Sequence, residues 1–212
     1  MSEQVASTIE EEIVLGQLYP RERLVEDDLM ARFDAKRHVV RSALRELESR
    51  GVVERRANVG AFVRTYTVAE VRNLYDVREL LEVHCAHSIP LPPNEEQLAE
   101  LIAIQQRHDL AIERSDFRGV VRNNIEFHQT LYGLAENGVL VEAIRRHAQM
   151  AYPIRSVTVT SPEHVLLARD EHWLMIDALH QGDASSLAEI CARHLRPSRD
   201  AYLQRLEAAD DS

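Results

Sequence analysis

The sequence predicts a mainly α protein: an N-terminal winged helix-turn-helix followed by an all-α helical bundle of six or seven helices. Three observations lead there. Before residue 51, apolar side chains recur every three or four positions in three short segments, the spacing of one helix face. Two short apolar runs joined by a turn ending in Gly60 follow, the pattern of a β-hairpin. From residue 67 onward every apolar pattern is helical, and no strand alternation, phosphate-cradling glycine loop or internal repeat interrupts it.

In the first segment Val5, Ile9 and Ile13 share a face, and Gly16 stops the helix. After Tyr19-Pro20, the acids Glu26, Asp27 and Asp28 occupy the first turn of a second helix, where carboxylates complement the dipole; Leu29, Met30 and Phe33 supply its apolar side. Asp34-Ala35 turns the chain into a third helix, from about Arg37 to Arg50, with Val40, Ala43, Leu44 and Leu47 inward and Gly51 as its stop. Val52–Arg55 and Ala61–Arg64 read as strands around the turn Ala57-Asn58-Val59-Gly60, which forms the wing. Thr67 and Glu70 make a capping box, so the next helix starts at once and the domain boundary falls near residue 66. Residues 1–66 are the expected winged helix and 67–212 the expected bundle, with helices over about 67–87, 94–114, 116–136, 138–152, 162–181 and 183–207. Pro90, Pro92 and Pro93 break the first from the second, Asn94 with Gln97 caps the second, and Gly182-Asp183 parts the last two.

Apolar residues at 45% and charged residues at 28% match a soluble globular chain rather than a disordered or membrane-spanning one. No apolar run nears the roughly 20 residues a spanning helix needs. The first residues, Met1 to Val5, lack a secretory signal's apolar stretch, so a cytoplasmic location is expected. Cys85 and Cys191 lie far apart without a CxxC pair, and reduced thiols follow for that compartment. The net charge of -10 is unevenly placed: residues 30–66 carry nine Lys/Arg against four Asp/Glu, and residues 67–212 fourteen against twenty-three. Positive charge sits where a duplex could be gripped, and the acidic remainder would repel DNA elsewhere.

Arg37, Arg41 and Arg45 recur every four residues on the third helix, a stripe that suits phosphates and guanine edges in a major groove. Alone, such a stripe reads first as a solvated face. With the short preceding helix and the Gly-tipped hairpin, it reads as a recognition helix opening at Lys36-Arg37-His38-Val39-Val40-Arg41. The chain here resembles the GntR family of bacterial regulators, through Ile9, Gly16, Pro20, Leu24, Leu29, Phe33, Arg37, Val40-Arg41, Ala43-Leu44, Leu47, Gly51-Val52-Val53, Asn58 and Gly60-Ala61-Phe62-Val63. The resemblance implies that Arg37 and Arg41 contact bases or nearby phosphates and that Gly60 approaches the minor groove. The candidate DNA-contacting set is Lys36, Arg37, His38, Arg41, Arg45, Asn58 and Gly60. Arg21 stands where the family commonly has glycine, and His38-Val39 where a small polar residue and proline are usual.

In the C-terminal part Asn124 and His128 project from one helix face at i, i+4, and His172 and His194 come from two later helices. Three imidazoles and one oxygen donor form a ligand set for a divalent transition metal with open positions; each histidine taken singly reads as a core or surface residue. Val77–Glu82, Asn124–His128, Ala135-Glu136-Asn137, Glu171–Ile176, Gly182-Asp183 and Ala192-Arg193-His194 resemble the FCD ligand-binding domain of the FadR subgroup of that family. This resemblance implies a metal at Asn124, His128, His172 and His194, zinc first, with nickel and manganese also fitting the donors. Family members often carry Asp at the position of Asn124, and the neutral amide here implies either weaker metal binding or a preference for an anionic effector as the compensating charge. Arg78 is the first candidate for an effector carboxylate, with Arg146 and Arg155 beside it; an ion pair with Glu82 at i, i+4 is the alternative for Arg78. Glu126, Glu171 and His164 are candidates to orient the ligands, and Tyr152-Pro153 to end or bend its helix.

The expected protein is therefore a homodimeric, non-enzymatic transcription regulator, a repressor, that binds a palindromic double-stranded operator and is controlled by a small organic acid at the metal, with no membrane partner. Two alternatives stand beside it. The metal itself could be the signal, or the three-histidine site could belong to a zinc-dependent hydrolase or lyase.

Overall fold

The order of elements follows from where the chain supplies caps and breakers, and the computed structural model describes it for residues 1–210. The N-terminal part runs α1 (Ser2–Val14), β1 (Arg23–Leu24), α2 (Glu26–Phe33), α3 (Arg37–Ser49), β2 (Val53–Arg56) and β3 (Gly60–Val63). The remainder is α4 (Val68–Ser88), α5 (Glu95–Glu113), α6 (Phe117–Gly133), α7 (Gly138–Met150), α8 (Tyr152–Arg155), α9 (Pro162–Gln181), α10 (Ala184–His194) and α11 (Arg196–Asp210).

Val5, Ile9 and Ile13 pack with Val40, Ala43, Leu44 and Leu47 of α3 in one core, closed from the wing side by Val53, Ala61 and Val63. Asp34 adopts a left-handed conformation that ends α2 and sends the chain into α3. The wing is the antiparallel pair β2–β3, in register Val53↔Val63 to Arg56↔Gly60. A third strand, β1, joins its other edge through Arg23↔Phe62 and Leu24↔Ala61. Two residues carry no alternation, so a strand this short has no period to read.

The capping boxes at Thr67/Glu70 and Asn94/Gln97 are both formed. Two boundaries differ from the sequence expectation. The segment expected to run as one helix over 183–207 is two, because Pro197 has no N–H to continue the ladder and α11 restarts at Arg196. Tyr152-Pro153 ends α7 at Met150 and opens the single turn α8. The bundle therefore has seven long helices and one short one among the described residues. Phe127, Leu131, Met175, Leu179 and Leu187 form the centre of its core, all essentially inaccessible. Cys85 and Cys191 are free and buried. Among the described residues no helix is long and apolar enough to cross a membrane.

The two parts touch closely. Tyr152 of α8 is buried in the same cluster as Ile9 and Ile13, and Val121 of α6 joins it. Gly51 (φ 78°) ends α3 where a Cβ would lie 2.8 Å from Met150 Cγ, so both its backbone and its surroundings require glycine.

Candidate functional site

The basic groove is built on α3. Arg37, His38, Arg41 and Arg45 line it together with Glu26 and Arg55. Its continuation along the wing is lined by Arg41, Arg23, Arg55, Arg56, Asn58 and Gly60 among others. Lys36 occupies the N-cap position of α3 without a side-chain capping bond and is exposed outside that lining. Sequence reasoning missed Arg23, Arg55 and Arg56 as groove residues: the strand β1 that carries Arg23 left no periodic trace, and Arg55 was read only as the end of a strand. Two arginines of this groove are already paired. Arg37 Nη2 donates to Asp27 Oδ1 at 2.7 Å, and Arg41 Nε to both oxygens of Glu26 at 2.9 and 3.1 Å. The acids that favour the start of α2 thus also hold the arginines of α3. Exposed pairs of this kind contribute at most about 1 kcal/mol, so phosphate can displace them.

In the bundle, α6, α9 and the last residue of α10 bring His128, His172 and His194 together, with one nitrogen of each within 4.8 Å of the others. The Nε2 atoms of His128 and His194 are 3.1 Å apart, and those of His128 and His172 3.3 Å. Nitrogens on tetrahedral zinc, about 2.1 Å from the ion, stand roughly 3.4 Å apart. His172 Nδ1–H donates to Gln105 Oε1 and His194 Nδ1–H to Glu171 Oε2, each at 2.8 Å. Both rings are thereby set with their Nε2 lone pairs turned to the common point, as metal ligation requires. Phe127 stacks on His172 with centroids 4.2 Å apart and fixes that ring. Burial holds the His128 and His172 imidazoles well below their usual range, and so in the neutral, ligating form. This donor set fits a divalent metal.

Asn124 is buried one turn before His128, and its Nδ2 has no partner among the described residues. Gln105 and His108 were not singled out from sequence; on α5 they read as the polar stripe of an amphipathic helix. Glu171 also accepts from Arg193 Nε at 2.8 Å. Glu126 instead pairs with Arg107 at the surface, and His164 bonds Ser161 Oγ.

Beside the histidines lies a cavity of about 90 Å³, lined by His128, His194, Arg78, Arg155, Tyr132 and Tyr152 among others. Arg78 is paired, as the i, i+4 spacing allows, but the pair is buried rather than at the surface: Arg78 Nε and Nη2 reach Glu82 Oε1 at 3.0 and 2.9 Å. Glu82 Oε2 accepts from Tyr132 at 2.7 Å, and Arg78 Nη1 remains buried without a partner among the described residues. Arg155 makes no side-chain hydrogen bond or ion pair among the described residues, and burial with the nearby Arg78 cation pushes its pKa down. Arg146 does not line the cavity. One residue is 100° of helix, and that turn leaves Arg146 exposed on α7 while Arg145 lines the wall. Tyr152, expected only to break its helix, lines the cavity as well.

A winged helix with a basic groove, joined to a helical bundle whose partly open, largely apolar cavity carries a few charged and polar groups, is the architecture of a ligand-responsive transcription regulator. The FCD domain model matches residues 73–197 and the model of bacterial regulatory proteins of the gntR family matches residues 1–63. The chain belongs to the GntR-type regulators that carry an FCD domain. It is 24% identical over 213 residues to the HTH-type transcriptional repressor RspR of Escherichia coli K12, covering 99% of this chain and 92% of that one. It is also 24% identical to the Nta operon transcriptional regulator of Aminobacter aminovorans, over 90% and 89% of the two chains. Among solved structures, a GntR transcriptional regulator from Rhodococcus sp. RHA1 superposes with a TM-score of 0.80 at 23% identity, over 96% and 97% of the chains. McbR/YncC of E. coli does so with 0.83 at 20%, over 97% and 98%. Regulators of this type bind DNA operators, and their FCD domains bind small-molecule effectors. The protein is a regulator and not an enzyme, which removes the hydrolase and lyase alternative.

Proposed function

We propose that this protein is a homodimeric repressor of the FadR subgroup whose operator affinity is set by a small carboxylate held in the cavity between α4, α6 and α8. The single observation that carries this reading is Arg155, a largely enclosed guanidinium facing the cavity with no acidic partner among the described residues. A half-buried cation with no ion pair has given up part of its hydration, and a bound carboxylate accepts two of its N–H groups at once. The free Nη1 of Arg78 adds a further donor on the same cavity.

His128, His172 and His194 would hold a divalent metal, zinc first, with Asn124 as an oxygen donor. Such an ion adds positive charge to a site whose own ligands are neutral, and so favours an acid. Residues 1–66 would serve as the DNA-binding head, with Arg37, His38, Arg41 and Arg45 in the major groove, Asn58 and Gly60 at the minor groove and Lys36 on phosphate. Residues 67–212 would bind the effector and dimerise, and a two-fold dimer reads a palindrome. The printed name of the relative RspR, a repressor, favours the repressing direction.

A thermal-shift series on zinc-loaded protein with small carboxylates, joined to gel retardation of operator DNA with and without the stabilising acid, tests the reading. Stabilisation and release of DNA by the same acid is the expected result. Release by metal alone, with no response to any acid, would instead make the metal the signal. Arg41→Ala should abolish retardation while the bundle stays folded; unchanged retardation removes Arg41 from the DNA face.

A further inference from the structure

A second cavity, of about 60 Å³, lies on the other side of Arg155 and has no place in the reading above. Arg155 lines both spaces, so the two adjoin at this residue. The second space is lined by Asn124, His108, Thr158 and His164, with Val120 and Ala168 among its apolar walls. No carboxylate lines it among the described residues. Asn124 is 5% exposed, and its Nδ2 amide has no acceptor among the described residues. Buried N–H groups are nearly always satisfied, so a donor left open against a cavity calls for an acceptor from outside the chain.

The unmet groups on the two sides are alike. The first cavity offers Arg78 Nη1, the second Asn124 Nδ2, and Arg155 serves both. The one acid lining the first cavity, Glu82, already has both oxygens occupied, by Arg78 and by Tyr132. What is missing at either end is therefore an acceptor.

We infer that the effector is a two-ended acid, with one carboxylate in the first cavity against Arg78 and Arg155 and a second acceptor group, a carboxylate or carbonyl, in the pocket lined by Asn124. This inference rests on the proposed carboxylate site but goes beyond it, because a single carboxylate in the first cavity leaves the open donor of Asn124 to water. The two ends are read by different residues. Chain length between them, rather than charge alone, then selects the ligand.

Isothermal titration of the zinc-loaded full chain with propionate, butyrate and pentanoate, against malonate, succinate and glutarate, tests it. The best diacid should bind about tenfold more tightly than the monoacid of equal length, the gain of one hydrogen bond to a charged acceptor. Ala168→Met fills the second cavity and should erase that preference while leaving the monoacids as they bind the unaltered protein. Equal binding of monoacids and diacids by the unaltered protein overturns the two-ended reading and leaves the single-carboxylate function standing. Persistence of the preference in Ala168→Met also overturns it. Binding of neither class overturns both readings. The comparison within the unaltered protein decides the question even if the variant folds poorly.

Discussion

The hydroxyl of Tyr66 donates to the main-chain oxygen of Met150 at 2.6 Å, joining the exit of the wing to the end of α7. The same hydroxyl lies 3.1 Å from the carbonyl of Gly51, the residue that ends the recognition helix. Burial pushes the Tyr66 phenol upward, so it stays a protonated donor. Tyr66→Phe should lower stability by about 1–2 kcal/mol by leaving buried carbonyls unmatched. Urea midpoints measure this; an unchanged midpoint would show that the link has no net worth.

Arg21 has φ of 72° and sits exposed, its N–H bonded to Val63 O at 2.9 Å. The left-handed region costs a residue with Cβ about 1–2 kcal/mol, whereas glycine enters it freely. Arg21→Gly should therefore stabilise the fold by about 0.5–1 kcal/mol, after the entropy glycine adds to the unfolded chain. A fall in thermal midpoint would contradict the strain argument.

His172 contributes to both the metal cluster and the Gln105 contact. His172→Ala should reduce zinc content measured by elemental analysis to a small fraction of the unaltered value, and a chelator should then no longer lower the melting temperature. Full zinc occupancy in the variant would remove His172 from the ligand set.

Burial pushes the pKa of His108 down to about 4, and those of His128 and His172 also fall well below 6.5. In the unfolded chain these rings take up protons below about 6.5, while in the folded state they stay neutral. The unfolded state binds more protons through that window, so stability must fall as pH drops from about 6.5 toward 4. Chelator-treated protein should lose urea resistance steadily across that range; flat midpoints would mean that the rings are not held neutral.

Arg155 carries a cost in the free protein that a bound acid would offset. Arg155→Met should raise the melting temperature of the free protein and at the same time abolish any acid-induced shift. A lower melting temperature would indicate that the guanidinium stabilises the bundle.

Much of the architecture was legible because helices advertise themselves locally. The faces of α1 and α3, the turn at Asp34-Ala35 and the capping boxes at Thr67/Glu70 and Asn94/Gln97 all rest on residues within one or two turns of each other. β1 was illegible because its two residues form a strand only by borrowing the edge of β3, nearly forty positions later. The break at Pro197 was open to reading, but the apolar pattern continued across it.

The sequence by itself determined the helix-turn-helix and wing, the basic stripe of α3 and the candidacy of His128, His172 and His194, since helical period, charge and residue chemistry are properties of short stretches. Only the tertiary structure decided which cations face the cavity and which are spent on partners. It pairs Arg78 with Glu82, turns Arg146 to the surface and leaves Arg155 unpaired between two cavities. Pairing across a bundle depends on the packing of helices distant in sequence, which sets the direction of each side chain and the acids within its reach.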